Sequence, residues 1–143
     1  MAKMKAILVP VDGSKNSDRA VAHALALIGA GLAAELHFLN VQPNFGGAIS
    51  TFVDRAEIDA YRRDEGNKAL ASAVELAKKT SVPAVVHIGV GRHGAVVSDY
   101  VKKLGAGEVI MGTRGHTGLA GVLLGSVAQD VIAHAEVPVT LVK

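Results

Sequence analysis

Short aliphatic runs alternate along this chain with longer amphipathic ones. Met4 to Val11 (M-K-A-I-L-V-P-V) is almost wholly apolar, the pattern of a strand buried on both faces. It stops at the turn-forming cluster Asp12-Gly13-Ser14. Ala20, Val21, Ala24, Leu25, Leu27, Ile28 and Leu32 then share one broad face, predicting a helix capped by Asn16 or Ser17 and ending near Gly31. Glu35 to Val41 predicts a second strand, closed by Gln42-Pro43. Asp54, with Glu57 three residues on, opens a helix to about Lys79 whose inner face is Ile58, Tyr61, Leu70, Ala73, Val74 and Ala77, with Gly66 a weak point. Its alternating charges from Asp54 to Glu65 read as a solvated face. A third strand (Ala84 to Gly89) leads to a helix from Ala95 to Leu104, ended by Gly105 and Gly107. Glu108 to Met111, a helix from Ser126 to His134, and a last strand from Val137 to Val142 complete the pattern.

Strands and helices that alternate in this way imply one parallel sheet covered on both faces, an open α/β fold. Ligands of such sheets bind beyond the carboxyl ends of the strands, where strand order reverses. Asp12, Val41, Gly89 and Gly112 all fall at carboxyl ends, so Asp12 and the segment after Met111 are expected on one rim. The segment from Asn44 to Val53 carries Phe45, Ile49 and Phe52 and is expected to be a loop tucked onto the core rather than a flap over a ligand.

Composition narrows the picture. Half of the 143 residues are hydrophobic but only 3% are aromatic, so the core must be built of Ala, Val, Leu and Ile. The length suits one domain, residues 1–143. A net charge of +2 with no basic run argues against a nucleic-acid surface. The absence of cysteine excludes disulfides, thiolate metal sites and a cysteine nucleophile. The first apolar run breaks at Pro10 and Asp12, as a strand and not a signal peptide would, and the uncharged run Ala20 to Ala34 is too short to span a bilayer. A cytoplasmic protein without membrane attachment is the expectation.

Candidate chemistry concentrates between Met111 and Val127 (M-G-T-R-G-H-T-G-L-A-G-V-L-L-G-S-V), where glycines stand at 112, 115, 118, 121 and 125 and Arg114 is the only formal charge. Glycine-rich backbone between a strand and a helix can turn several N–H groups toward one ligand, and the helix start at Ser126 adds unpaired N–H groups and a positive dipole end. Ser126 with Gln129 also reads as a capping box, which needs no ligand. The loop is neither a Walker A motif nor a G-x-G-x-x-G fingerprint; its spacing is G-x-x-G, nine residues, G-S, set by Gly112, Gly115, Gly125 and Ser126. The six histidines show no metal-ligand spacing, and no G-x-S-x-G elbow is present.

Two stretches together resemble the universal stress protein family: I-L-V-P-V-D-G-S (Ile7 to Ser14), and V-I-M-G-T-R-G-H-T-G-L-A-G-V-L-L-G-S-V-A with the ending A-E-V-P-V-T-L-V. The G-x-x-G-x9-G-[ST] spacing is the mark of that family's ATP-binding group. The resemblance implies a five-stranded Rossmann-like sheet of the adenine nucleotide alpha hydrolase type, in the order 3-2-1-4-5. It implies that Asp12 and the backbone at Val41 contact adenine, that Pro10 and Val11 line the base pocket, that Gly112 and Gly115 approach ribose and phosphates, and that Met111 belongs to the same binding site. Gly125, Ser126 and Val127 would hold phosphate oxygens, with Arg114 and His116 at the same loop. The implied ligand is ATP (or ADP or AMP), with Mg²⁺ held through the phosphates, and the implied assembly is a homodimer through Val137 to Val142. The expected function is a nucleotide-dependent regulatory module in a stress response, read by a further protein partner. A slow ATPase or nucleotide-transferring enzyme on the same site is the alternative, though Asp12 is the only carboxylate expected on the rim. A nucleotide-free dimerisation module is the other.

Overall fold

A computed structural model describes residues 5–45, 53–114 and 124–143. Strand β1 (Lys5–Pro10) is followed by α1 (Lys15–Gly29), β2 (Ala34–Gln42), α2 (Arg55–Lys79), β3 (Ala84–Val90), α3 (His93–Leu104), β4 (Ala106–Gly112), α4 (Ser126–His134) and β5 (Val139–Val142). The strands form one sheet in the order β3-β2-β1-β4-β5, every neighbouring pair parallel. This is the order and the α/β class expected.

The two faces of the sheet bury separate cores. Ile7, Val9, Leu36, Phe38 and Ile110 face α1 and α2, where Val21, Ala24, Leu70 and Ala73 meet them. Leu8, Leu39, Val109 and Met111 face α3 and α4, against Val97, Val101, Ala128 and Val131. The two-residue period of a strand divides the side chains in this way, and a central strand apolar on both faces is the result. Phe38 is fully buried at the centre; aliphatic side chains fill almost all the rest.

Several boundaries differ from the expectation for local reasons. Helix α1 is capped by Ser14, not Asn16 or Ser17: the chain reverses at Gly13 (φ 83°), and the Ser14 side chain accepts from the Ser17 N–H at 3.2 Å. Asp54 caps α2 as expected, accepting from Ala56 N–H. Tyr61 lies outside the core, half exposed, with its ring 6.0 Å from that of Phe45, while the Arg62 guanidinium lies 5.3 Å from the Phe45 ring. Phe45 thus tucks the chain after β2 onto α2; residues 46–52 lie outside the described ones. Gly66 has a packing role in α2: a Cβ there would stand 2.6 Å from Ile88 Cδ1, and the bare backbone lets the helix lie close on β3. Leu32 is 40% exposed rather than part of the α1 face.

β4 begins at Ala106, not Glu108. Ala6 pairs with Ala106 and Ile7 with Glu108, so Gly107 is the extra residue of a bulge rather than a helix stop. β5 begins at Val139, not Val137: Pro138 has no N–H for the ladder, and its carbonyl alone takes part, accepting from Val109 N–H at 2.9 Å. No helix among the described residues is long and apolar enough to cross a membrane.

Candidate functional site

Strand β1 lies at the centre, with β2 on one side and β4 on the other, so the chain changes direction across the sheet between β1 and β4. At the carboxyl ends of these strands a narrow cleft opens, about 80 Å³ in volume. Pro10, Val11 and Asp12 from the end of β1 line it, with Leu39, Asn40 and Val41 from β2, Met111, Gly112 and Arg114 from β4 and beyond, Ser17 from α1, His93 from α3 and Val127 from α4. Eight of the twelve residues singled out from the sequence therefore meet in one cleft. Gly125 and Ser126 stand at the start of α4, beside Val127, but are not among its lining residues. Gly115 and His116 lie outside the described residues.

The floor of the cleft is held by a buried polar relay. Asn40 is 5% exposed; its amide donates to the Val11 carbonyl at 2.8 Å and its oxygen accepts from Gln42 Nε2 at 2.7 Å. Backbone joins in, with Val11 N–H donating to the Leu39 carbonyl at 2.8 Å. The Asp12 carboxylate accepts from Ser14 N–H at 2.9 Å, and Ser17 Oγ accepts from Asp12 N–H at 3.4 Å while donating to the Ser14 carbonyl at 3.2 Å. Asp12 is thus both a turn-forming residue and a cleft wall.

Gly112 has a packing reason of its own. A Cβ there would lie 2.9 Å from the Asn16 carbonyl oxygen, so glycine lets the end of β4 touch the start of α1. From there the chain is tied down on both sides: Thr113 N–H donates to the Val142 carbonyl at 3.0 Å, and Gly125 N–H to the Thr113 carbonyl at 2.6 Å. The two ends of the 114–124 segment are thereby stapled together, and α4 starts next to the end of β4.

This geometry corrects two expectations. The capping box at Ser126 and Gln129 does not form: Gly125, extended at φ −70° and ψ 162°, is the N-cap, and the Gln129 amide donates instead to the Leu124 carbonyl at 2.9 Å. The helix starts one residue earlier than a serine cap would require. The Gly125 N–H, committed to Thr113, is also not a donor for an anion. Since the glycine cap has no side chain, no side-chain acceptor among the described residues serves the first turn of α4, where the N–H groups of Ser126, Val127 and Ala128 stand at the positive end of the helix dipole. An exposed serine hydroxyl stands with them.

Residues 3–143 match the universal stress protein family. The chain belongs to that family. This universal stress protein is 34% identical to universal stress protein MJ0531 of Methanocaldococcus jannaschii, across 97% of its own length and 82% of the relative's. Among solved structures it resembles hypothetical protein MJ0577 at 26% identity and a TM-score of 0.80, covering 99% and 97% of the two chains. A universal stress protein solved in complex with cAMP shares the fold at 24% identity and a TM-score of 0.73, covering 99% of each chain. One from Archaeoglobus fulgidus solved with dAMP does so at 23% and 0.66, covering the whole of both chains.

The sequence reading of this universal stress protein missed Asn40, Gln42, Ser17 and His93. Asn40 and Gln42 left a trace, two amides at the carboxyl end of a largely apolar strand. His93 left none, since only the packing of α3 brings it to the cleft. Away from the cleft, the imidazoles of His37 and His87 stack on neighbouring strands, with His37 Nδ1 2.9 Å from His87 Nε2. Burial, and secondarily the nearby His37, push the His87 imidazole below its ordinary value.

Proposed function

We propose that this universal stress protein is a single-domain, ATP-binding regulatory module that holds an adenine nucleotide in the cleft between β1 and β4. The observation that carries this reading is the meeting, in one cleft, of an apolar wall (Pro10, Val11, Val41, Met111) with the uncapped start of α4. A base suits the first and phosphates the second. Relatives of the same fold solved with cAMP and dAMP support an adenine-containing occupant. Asp12 and the backbone at Val41 take the base, Gly112 and Gly115 lie along the ribose and phosphates, and Ser126 and Val127 donate to phosphate oxygens with Arg114 and His116 alongside. Mg²⁺ comes with the phosphates of ATP and supplies charge neutralisation there. ATP occupancy then alters a surface that a partner protein reads, in the cytoplasm, from a homodimer joined along β5.

The test uses one backbone substitution. Ser126→Pro deletes one N–H and the hydroxyl at the first helical position, where proline is favoured, and Gly125 before it is already extended as a residue preceding proline must be. Calorimetric titration of nucleotide-free wild type with Mg·ATP should give micromolar binding, about −8 kcal/mol. Ser126→Pro should fold normally and bind about tenfold or more weakly, since a hydrogen bond to a charged group is worth about 1.5–3 kcal/mol. ADP accumulating in the cell would move the reading toward the slow ATPase. No heat with ATP, ADP or AMP would end it.

A further inference from the structure

We infer that His93 is a ligand-recognising residue of the cleft, which reads the anionic part of its occupant and makes its affinity depend on pH. The inference rests on the adenine-nucleotide reading above. It starts from how α3 is anchored. The N–H of Gly94, in the first turn of α3, donates to Asp130 Oδ2 of α4 at 2.7 Å. A Cβ on Gly94 would stand 2.5 Å from the Asp130 carbonyl oxygen and would also strike His134 Nδ1. Only glycine allows that approach, so the start of α3 is docked against α4 and His93, one residue before, is held at the cleft with Val127.

Two helix N-termini therefore meet at the cleft: that of α3 already has the Asp130 carboxylate on its Gly94 N–H, and that of α4 carries no side-chain cap and favours an anion. Apart from Arg114, which is exposed, the other polar side chains there are already committed. Asp12 and Ser17 tie the turn before α1, and Asn40 bonds at both ends of its amide. No hydrogen bond or ion pair among the described residues engages the half-buried ring of His93. Uncharged, that ring offers a single N–H; protonated, it offers two donors and a positive charge. Next to a phosphate the charged form is favoured, so binding takes up a proton and affinity grows as pH falls.

The charged groups around His93 come from each neighbouring element: Asp12 after β1, Arg92 before α3, Arg114 after β4, and Asp130 and His134 in α4. Of these, the Asp130 carboxylate is already engaged. It accepts from Gly94 and pairs with Arg92 at 3.7 Å and His134 at 3.4 Å.

The experiment measures AMP and adenosine binding by calorimetry at about pH 6 and pH 8, across the interval in which histidine charge changes. Wild type is compared with His93→Gln, His93→Lys and His134→Gln, so that titration of the nucleotide's own phosphate cancels. At the lower pH His93→Gln should bind AMP about three- to tenfold more weakly than wild type, because a charge-assisted hydrogen bond is roughly twice as strong as a neutral one. At the higher pH the gap should close to about twofold or less, with adenosine unaffected throughout. His93→Lys should restore AMP affinity at both pH values, and His134→Gln should leave the wild-type pattern intact. A His93→Gln deficit equal at both pH values, or equal for adenosine, overturns the inference while leaving nucleotide binding standing. Wild type that binds neither AMP nor ATP overturns the cleft reading and this inference with it.

Discussion

Replacing Asn40 by alanine tests whether the buried relay holds the cleft floor. The substitution removes the donor to the Val11 carbonyl and the acceptor for Gln42 Nε2, two bonds of 2.8 and 2.7 Å in a region where both Asn40 and Gln42 are largely inaccessible to water. Each polar group left without its partner costs about 1–3 kcal/mol, giving roughly 2–6 kcal/mol for the pair. Asn40 lines the cleft, so water can enter and replace part of what is lost; the lower half of that range, about 2–4 kcal/mol, is the expectation. Unfolding entropy near 2.1 cal/mol/K per residue gives about 0.3 kcal/mol/K for a chain of this length, so the melting temperature should drop by about 7–13 °C. Urea titration followed by circular dichroism, with ligand-free protein, reads the free energy directly. Asn40→Asp keeps the shape and the acceptor for Gln42 but sets a carboxylate against the Val11 carbonyl. It should be at least as unstable as Asn40→Ala at neutral pH and recover as the carboxyl protonates. A loss below about 0.5 kcal/mol for Asn40→Ala, the scale of an ordinary surface substitution, would refute the reasoning.

The other expectations concern separate parts of the molecule. Gly112→Ala should destabilise nucleotide-free protein by about 1–3 kcal/mol, the cost of overpacking against the Asn16 backbone; an unchanged urea midpoint would show that no such contact constrains this position. His87 is disfavoured from protonating in the folded state, so the unfolded chain takes up its proton first as pH falls. Stability should be full above the ordinary histidine value and decline below it, and the decline should shrink in His87→Gln; a wild type equally stable on either side of that value would contradict this. If β5 pairs with its copy in a second subunit, Leu141→Lys, at a 38%-exposed edge position, should run as a monomer on a sizing column, and an unaltered dimer would exclude that interface.

The elements of this protein and their strand or helix character are written locally. Runs apolar on both faces make β1 and β2, the 3.6-residue stripe of Ala20, Val21, Ala24 and Leu25 makes α1, and Asp54 starts α2, because burial and capping act through near neighbours in the chain. Strand order and the place of the candidate cleft were legible by another route, the G-x-x-G-x9-G-S spacing and the opening strand shared with the universal stress protein family. Roles that depend on what lies across a gap were not legible. Gly66 looks like a weak point, and Gly112 like a ligand contact alone, until Ile88 and the Asn16 carbonyl are found beside them. Gly125 displaces Ser126 as the cap because a distant carbonyl, that of Thr113, fixes where the chain enters α4. His93 reaches the cleft because Gly94 and Asp130 come from separate helices and meet. Periodicity and propensity report one segment's preference for an apolar or polar side, whereas a close approach or a hydrogen bond between segments exists only once the sheet has assembled and brought them together.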